Sequence, residues 1–374
     1  MKYYLIAGEA SGDLHGSNLV RNLHKLDAAA EIRCWGGEKM QDAGATLVKH
    51  YRELAFMGFI EVVRNLRTIM RNLAFCKNDI LSFKPDVVVL IDYPGFNIRI
   101  AKWAKKEGIK TVFYISPQVW AWKESRVRSL KKSVDKMLVI LPFEKEFYKK
   151  WKWNVEYVGH PLVEVVNNFI KNHSYLTKQE KLIAVLPGSR KQEILKKLPV
   201  MLEVSKHFPE YKFVVAKAPG VDETFYDDIL KEWANVSWVE NQTYNLLMQA
   251  NAAIVTSGTA TLETALFEVP QVICYKGSNI SYQIAKRLIN IRFIGLVNLI
   301  MNKEVVKELI QHEMNADNIT QELKPLLSET DKRKQILSDY RALKSLLTEG
   351  GDASSNAAEQ IISLLKTGIR QIRD

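Results

Sequence analysis

Asp86-Val87-Val88-Val89-Leu90-Ile91 is an unbroken aliphatic run behind a single carboxylate. A strand with one wet face alternates apolar and polar residues, so an unbroken run calls for burial on both faces of a parallel sheet. Parallel neighbours need crossover segments, usually helices, and the surrounding sequence supplies them. Residues 3–7 form a similar run that ends at the glycine-bearing loop 8–13 and a helix reaching about Lys25. Runs at 111–115, 136–141 and 155–159 repeat the theme, the last closing at Gly159-His160-Pro161. The pattern lapses over the polar stretch 167–181 and then resumes. Residues 182–186 lead to Pro187-Gly188-Ser189-Arg190, 212–216 to Pro219-Gly220, and 252–256 to a Ser/Gly/Thr turn, with 272–275 following. Two such series predict two α/β units, each a Rossmann-like doubly wound sheet, with a ligand in a central cleft beside the carboxyl ends of the strands. The expected division is 1–166, 167–342, and a charged helical tail 343–374 with a break at Gly350-Gly351. That tail either packs back on the first domain or crosses to a partner subunit.

A chain of 374 residues exceeds the usual size of one core, in agreement with two domains. Its 47% apolar and 25% charged residues are those of a folded globular protein. No apolar run reaches the ~18 residues that span a bilayer, and the short run at the start reads as a first strand, not a signal peptide. Cys34, Cys76 and Cys274 are scattered, without metal-ligand spacing, and fit a reducing cytoplasm. His15 and His160 sit in loops, yet no His/Cys/Asp/Glu cluster has metal spacing, and no metal is expected. The net charge of +11 asks for an anionic partner. Zinc-finger spacing, RNP aromatics and a helix-turn-helix are all missing, which argues against nucleic acid. An anionic membrane or a phosphorylated substrate both remain open.

Six segments could carry chemistry. In Val255-Thr256-Ser257-Gly258-Thr259-Ala260-Thr261-Leu262-Glu263, a strand-like run opens a helix-like one. Backbone N–H groups and the dipole at a helix start form an anion site, and Glu263 is placed to take a ribose diol; an ordinary capped helix gives the same pattern. Pro187-Gly188-Ser189-Arg190 offers close backbone approach, a hydroxyl and a forked cation suited to phosphate, or else a plain turn with an exposed arginine. Gly8-Glu9-Ala10-Ser11-Gly12-Asp13-Leu14-His15-Gly16 crowds acids and a histidine at a strand-to-helix turn, without the dinucleotide or P-loop spacing. Asp92, in Ile91-Asp92-Tyr93-Pro94-Gly95-Phe96-Asn97, ends the most apolar strand, where burial could raise it toward a working base. Finally, at 100° per residue Phe59, Val62, Val63, Leu66, Ile69, Met70 and Leu73 share one helix face, flanked by Arg64, Arg67 and Arg71. That pattern suits a helix lying in a membrane surface as well as a core helix. The segment Ser116-Pro117-Gln118-Val119-Trp120-Ala121-Trp122 ahead of the cations 123–132 offers paired indoles for a sugar or acyl surface, or a solvated basic face.

Taken in order, these segments resemble the lipid-A-disaccharide synthase family, inverting bacterial glycosyltransferases of GT-B architecture. The resemblance rests on residues 8–13, 116–123, Leu141-Pro142-Phe143-Glu144, Val158-Gly159-His160-Pro161, 186–190 and 256–263, then Ala285-Lys286-Arg287-Leu288 and Asn298-Leu299. It covers the chain from Met1 to about Leu309. It implies transfer from UDP-2,3-diacylglucosamine to 2,3-diacylglucosamine 1-phosphate (lipid X), giving a β-1,6-linked disaccharide and UDP. No organic cofactor or metal is implied. Gly188, Ser189, Arg190, Ser257, Gly258, Thr259, Ala260, Thr261, Glu263 and Asn298 would hold the UDP. Glu9, Ser11, Gly12 and Asn97 would face the acceptor.

One position departs from the family pattern. Where the family carries a second aspartate in Asp-x-Pro-Asp-Phe-Asn, this chain has Gly95. The base role passes to Asp92, with Glu9 or Asp13 as substitutes and Arg190 stabilising the leaving group. The acylated substrates suggest a cytoplasmic protein held peripherally on the inner membrane of a Gram-negative bacterium, in contact with anionic lipid through residues 59–73. A homodimer is compatible with the sequence. The alternative is another GT-B enzyme using a UDP-sugar, an epimerase or a different lipid glycosyltransferase.

Overall fold

The computed structural model describes residues 1–54, 66–218, 221–278, 282 and 292–370, with the backbone alone at Leu66, Trp122 and 367–370. Phe59, Val62, Val63, Arg64, Pro219-Gly220 and Ala285-Lys286-Arg287-Leu288 lie outside the described residues. The chain forms two compact units, Met1–Pro161 with Thr348–Asp374, and Leu162–Leu347.

In the first unit the described strands are β1 (Lys2–Ala7), β2 (Glu31–Gly36), β3 (Thr46–His50), β4 (Val87–Ile91), β5 (Lys110–Tyr114), β6 (Lys136–Val139) and β7 (Glu156–Tyr157). They pair in parallel in the order β3-β2-β1-β4-β5-β6-β7. Val87 to Ile91 are completely buried, which is why that run needs no polar face. Two apolar layers cover the sheet. One sets Tyr4, Ile6, Val88 and Leu90 against Cys76, Ile80 and Ile100. The other sets Leu5, Val89 and Leu138 against Leu19 and Leu23, and against Ala357, Ala358, Ile361 and Leu365 of the last helix, Ala353–Arg370. Lys110 Nζ donates to the Leu364 carbonyl at 3.1 Å and Asn356 Nδ2 to that of Val158 at 3.1 Å.

The second unit has β8 (Leu182–Leu186), β9 (Lys212–Lys217), β10 (Val236–Glu240), β11 (Ala252–Thr256), β12 (Gln271–Tyr275) and β13 (Glu308–Ile310). Their order is β10-β9-β8-β11-β12-β13, again parallel.

The compact units divide at Pro161 and Leu347, a few residues from the expected 166 and 342. Helix Pro161–Asn172 starts on Pro161, which suits a first helical turn, and Leu162, Val163 and Val166 are buried. Leu343 and Leu347 are likewise fully buried near the end of helix Asp331–Thr348, so that helix stays with the second unit. The chain then turns at Gly350-Gly351. A Cβ on Gly159 would lie 2.7 Å from the Gly351 carbonyl oxygen, and one on Gly350 2.5 Å from Gly159 Cα. Two backbones in contact leave room for glycine alone.

Candidate active site

In the second unit, β8 and β11 are sheet neighbours although β9 and β10 lie between them in the chain. Such a reversal opens a crevice beyond the carboxyl ends of the two strands. The crevice encloses about 310 Å³, walled by Pro187, Gly188 and Ser189 after β8 and by Thr256, Ser257 and Gly258 after β11. Gly188 has φ 111° and Gly258 φ 152°, angles that L-residues rarely adopt. A Cβ at Gly258 would touch nothing within 4 Å, so the backbone angle alone calls for glycine there. The turn starts helix Thr259–Leu266 without a side-chain cap. Among the described residues its first N–H groups, on Thr259 and Ala260 at the rim, have no hydrogen-bond partner, as is usual of helix starts.

Glu263, one turn in, also lines the crevice. It accepts a 2.7 Å hydrogen bond from Tyr244 Oη, and burial raises its carboxyl above the usual range. Among the described residues its second oxygen has no hydrogen-bond partner. Arg190 is not part of the wall; its guanidinium pairs with Glu193 at 3.1 Å, and Glu193 is part of it. Two expected ligands are spent on structure. The Thr261 hydroxyl is buried and donates to the Gly258 carbonyl at 2.8 Å, holding the turn shut.

Asn298 is also absent from the crevice. It is completely buried, with Nδ2 donating to Val306 O and Glu308 Oε1 at 2.8 Å each, while Oδ1 accepts from Val305 and Val306 N–H. It reaches the site only at a remove. Glu308 holds the N–H groups of Ile294 and Gly295 (2.9 and 3.0 Å), and the Ile294 carbonyl accepts from Ser257 Oγ at 2.9 Å. Thr243, Tyr244, Glu193 and Glu308 were not foreseen. Only Glu193 had a sequence signal, its place three residues after Arg190 at a helix start; the others meet the site through the tertiary fold.

The first unit repeats the reversal at β1 and β4. The chain leaves β4 through Asp92 (φ 46°) and Tyr93 (φ 49°), two consecutive left-handed residues. The Asp92 N–H reaches the Tyr114 carbonyl at 3.1 Å, and its own carbonyl accepts from Asn97 at 2.8 Å. The Tyr93 ring lies where a Gly8 side chain would stand, 2.3 Å from an ideal Cβ, and its hydroxyl donates to the Leu54 carbonyl at 3.1 Å. Burial, then the neighbouring Glu9 charge, push the Asp92 carboxyl up to about 6.

Asp13, Asn97 and Gly12 also hold the fold together here. Asp13 is buried and its carboxylate accepts from the N–H groups of Gly37, Lys39 and Met40 (2.8–3.2 Å), capping helix Glu38–Asp42. Asn97 is fully buried, its amide donating to the carbonyls of Ile6, Ile91 and Asp92, and it ties β1 to β4 rather than facing an acceptor. Gly12 brings its helix against Ala7, whose Cβ would lie 3.0 Å from an added one. Ser11 is exposed on the first turn of helix Ala10–Leu26.

Burial holds His15 down at about 4, and burial with His15 nearby holds His160 at about 3. Glu144 is buried, pushed up to about 7 by that burial, and accepts from the N–H groups of Ile140 and Leu141 and from Trp120 Nε1 at 3.3 Å. It thus fastens the Trp120 loop to the end of β6. Of the 59–73 face, Leu73 is buried and Ile69 packs against the core, whereas Met70 is 56% exposed between Arg67 and Arg71, both exposed. Among the described residues of that face, Ile69 and Leu73 therefore turn inward and Met70 outward.

The family model described as lipid-A-disaccharide synthetase matches residues 3–363. The chain belongs to the lipid-A-disaccharide synthase family. It is 39% identical to a lipid-A-disaccharide synthase of Syntrophus aciditrophicus over 97% of both chains, and 37% identical to one of Coxiella burnetii over 96% of this chain and 98% of that one. Membership makes it a glycosyltransferase of lipid A biosynthesis acting on lipid A precursor sugars. Among solved structures it resembles a UDP-GlcNAc 2-epimerase from Neisseria meningitidis bound to UDP-GlcNAc (TM-score 0.67, 13% identity, 98% and 100% covered). It also resembles the kitacinnamycin glycosyltransferase (TM-score 0.66, 14% identity, 97% and 98% covered). At such identities these likenesses speak for the GT-B fold alone. The family match speaks for the chemistry.

Proposed function

We propose that this lipid-A-disaccharide synthase family member transfers the diacylglucosaminyl group of UDP-2,3-diacylglucosamine to the 6-hydroxyl of 2,3-diacylglucosamine 1-phosphate. The crevice at the ends of β8 and β11 carries the reading, because it offers unpaired helix-start N–H groups for a diphosphate and a buried carboxylate for a ribose. In an inverting displacement the acceptor O6 bonds to the donor C1 as the C1–O bond to UDP breaks. The 6-hydroxyl proton passes to a base, and negative charge moves onto the departing diphosphate. Helix-start N–H groups and Arg190 stabilise that charge. Asp92 takes the proton. A carboxyl near 6 is ionised at neutral pH and a better base than an ordinary one. Glu9 keeps it raised and lies beside it for the acceptor.

The acyl chains of both substrates and the net charge of +11 support peripheral contact with an anionic bilayer, with Met70, Arg67 and Arg71 at the surface. Among the described residues no helix is long and apolar enough to cross one. One experiment addresses both parts: each diacylated sugar, alone and together, is presented in phosphatidylglycerol vesicles while UDP release and co-flotation of the protein are followed. UDP release requiring both sugars, with protein floating on the vesicles, is expected. Conversion of the donor alone points to an epimerase instead, and protein that stays at the bottom removes the membrane role.

A further inference from the structure

Helix Lys191–Glu203 begins straight after Arg190 and carries a second cation toward the crevice. Lys197 is 2% exposed, an environment in which an ammonium ion is costly unless well compensated. Among the described residues its one hydrogen-bond partner is Glu193 Oε2, at a long 3.4 Å. The other oxygen of Glu193 is taken by Arg190 at 3.1 Å, so one carboxylate serves two cations. That carboxylate lines the crevice and its side chain is 39% exposed, free to turn outward. Lys197 Nζ lies directly behind the Gly188 backbone: a Cβ there would stand 3.4 Å from it and 3.5 Å from Glu193 Oε2. A buried positive charge, a shared carboxylate and the turn with φ 111° thus meet at one wall.

We propose that Glu193 is a resident counter-anion which the diphosphate of the nucleotide displaces, and that Lys197 is a positioning residue that makes the Gly188 turn selective for an anionic ligand. Either a carboxylate or a diphosphate can neutralise Arg190 and Lys197, but the two anions repel one another when both crowd the same cations. Diphosphate entry therefore drives Glu193 toward solvent, and its return favours product departure. Lys197 never touches the ligand; its field acts through Gly188. Burial depresses its pKa, and Glu193 opposes the depression. Nothing in the assigned transfer chemistry demands either residue.

This inference rests on the crevice being the UDP site, and the test separates the two. UDP is titrated calorimetrically and uridine by NMR into wild type, Lys197→Met and Glu193→Gln, each checked for its melting temperature. Lys197→Met is expected to weaken UDP about five- to tenfold, the loss of one partly screened charge, and to leave uridine unchanged. Glu193→Gln is expected to tighten UDP about threefold by removing the competing anion, again without effect on uridine. Equal loss of UDP and uridine in Lys197→Met means a merely structural lysine and overturns the proposal. Weaker UDP in Glu193→Gln overturns it as well, and that variant decides the matter if Lys197→Met does not fold. A wild type that binds no UDP sinks the site assignment itself.

Discussion

The ends of β1 and β4 in the first unit and of β8 and β11 in the second occupy the same place in the same topology, and they hold opposite chemistry. The second reversal has features that suit anions: two positive-φ glycines, a helix start without a side-chain cap and nearby cations. At the first reversal, non-glycine residues at positive φ carry Asp92 and Tyr93 out of the sheet, and a glutamate stands beside the aspartate. A doubly wound sheet supplies a crevice at its switch point and is indifferent to what enters it. Left-handed turns make the difference. Where glycine takes them, backbone N–H groups are bared; where aspartate takes them, a carboxylate is held in a strained, half-buried place against its like. Strain of that kind tends to persist where function requires it.

The contrast is broken most severely at Asp92. Asp92→Asn keeps the shape and removes the base, and turnover is expected to fall on the order of 10²–10⁴-fold with little change in UDP affinity. In the wild type, activity should decline as pH drops through about 6, where Asp92 takes up its proton. The stability effect has the opposite sign. A carboxyl whose folded pKa is raised contributes stability below its ordinary pKa and loses it as pH rises through about 6, so the asparagine variant should melt higher than wild type at pH 7 and alike at pH 4. Initial rates across pH and paired melting curves check both. A variant with unchanged turnover would hand the role to Glu9.

What could be read from sequence follows the same division. Central strands were legible because two-sided burial leaves a continuous apolar run, as in Val87 to Ile91. β3, β10 and β13 escaped notice as edge strands, half-exposed or only three residues long, and β2 alternates charge with apolar residues. The glycine turns and Glu263 could be found because helix starts have local rules. Asp13, Asn97 and Asn298 could not be judged: a polar residue beside a loop reads as a ligand until its partners are known, and all three bond backbone groups of other elements or loops.

Asn298 tests that distinction at an intermediate magnitude. Asn298→Ala strips partners from the buried N–H groups of Val305 and Val306 and should cost about 3 kcal/mol in denaturant unfolding. Because its hydrogen bonds meet the crevice through Glu308, Ile294 and Ser257, UDP affinity should fall no more than about threefold, the small coupling of a remote support. A large loss of UDP with little loss of stability would return Asn298 to the nucleotide.

The smallest effect is expected at Gly95, where the family pattern has a second aspartate. Gly95 is exposed, sits in the first turn of helix Pro94–Lys106 outside the left-handed region, and a Cβ there meets nothing within 4 Å. Gly95→Asp is therefore accommodated without strain, and a carboxylate at a helix start in place of glycine should add about 0.5–1 kcal/mol of stability. If Asp92 already serves as the base, the added acid changes turnover by less than about threefold, since it contributes only a further charge near a proton acceptor at work. A tenfold rise in turnover, measured beside an unchanged UDP affinity, would show that the first reversal lacks its proper base. The acid at the end of β4 would then be a scaffold feature, and the chemical contrast between the two reversals would shift by one helical turn.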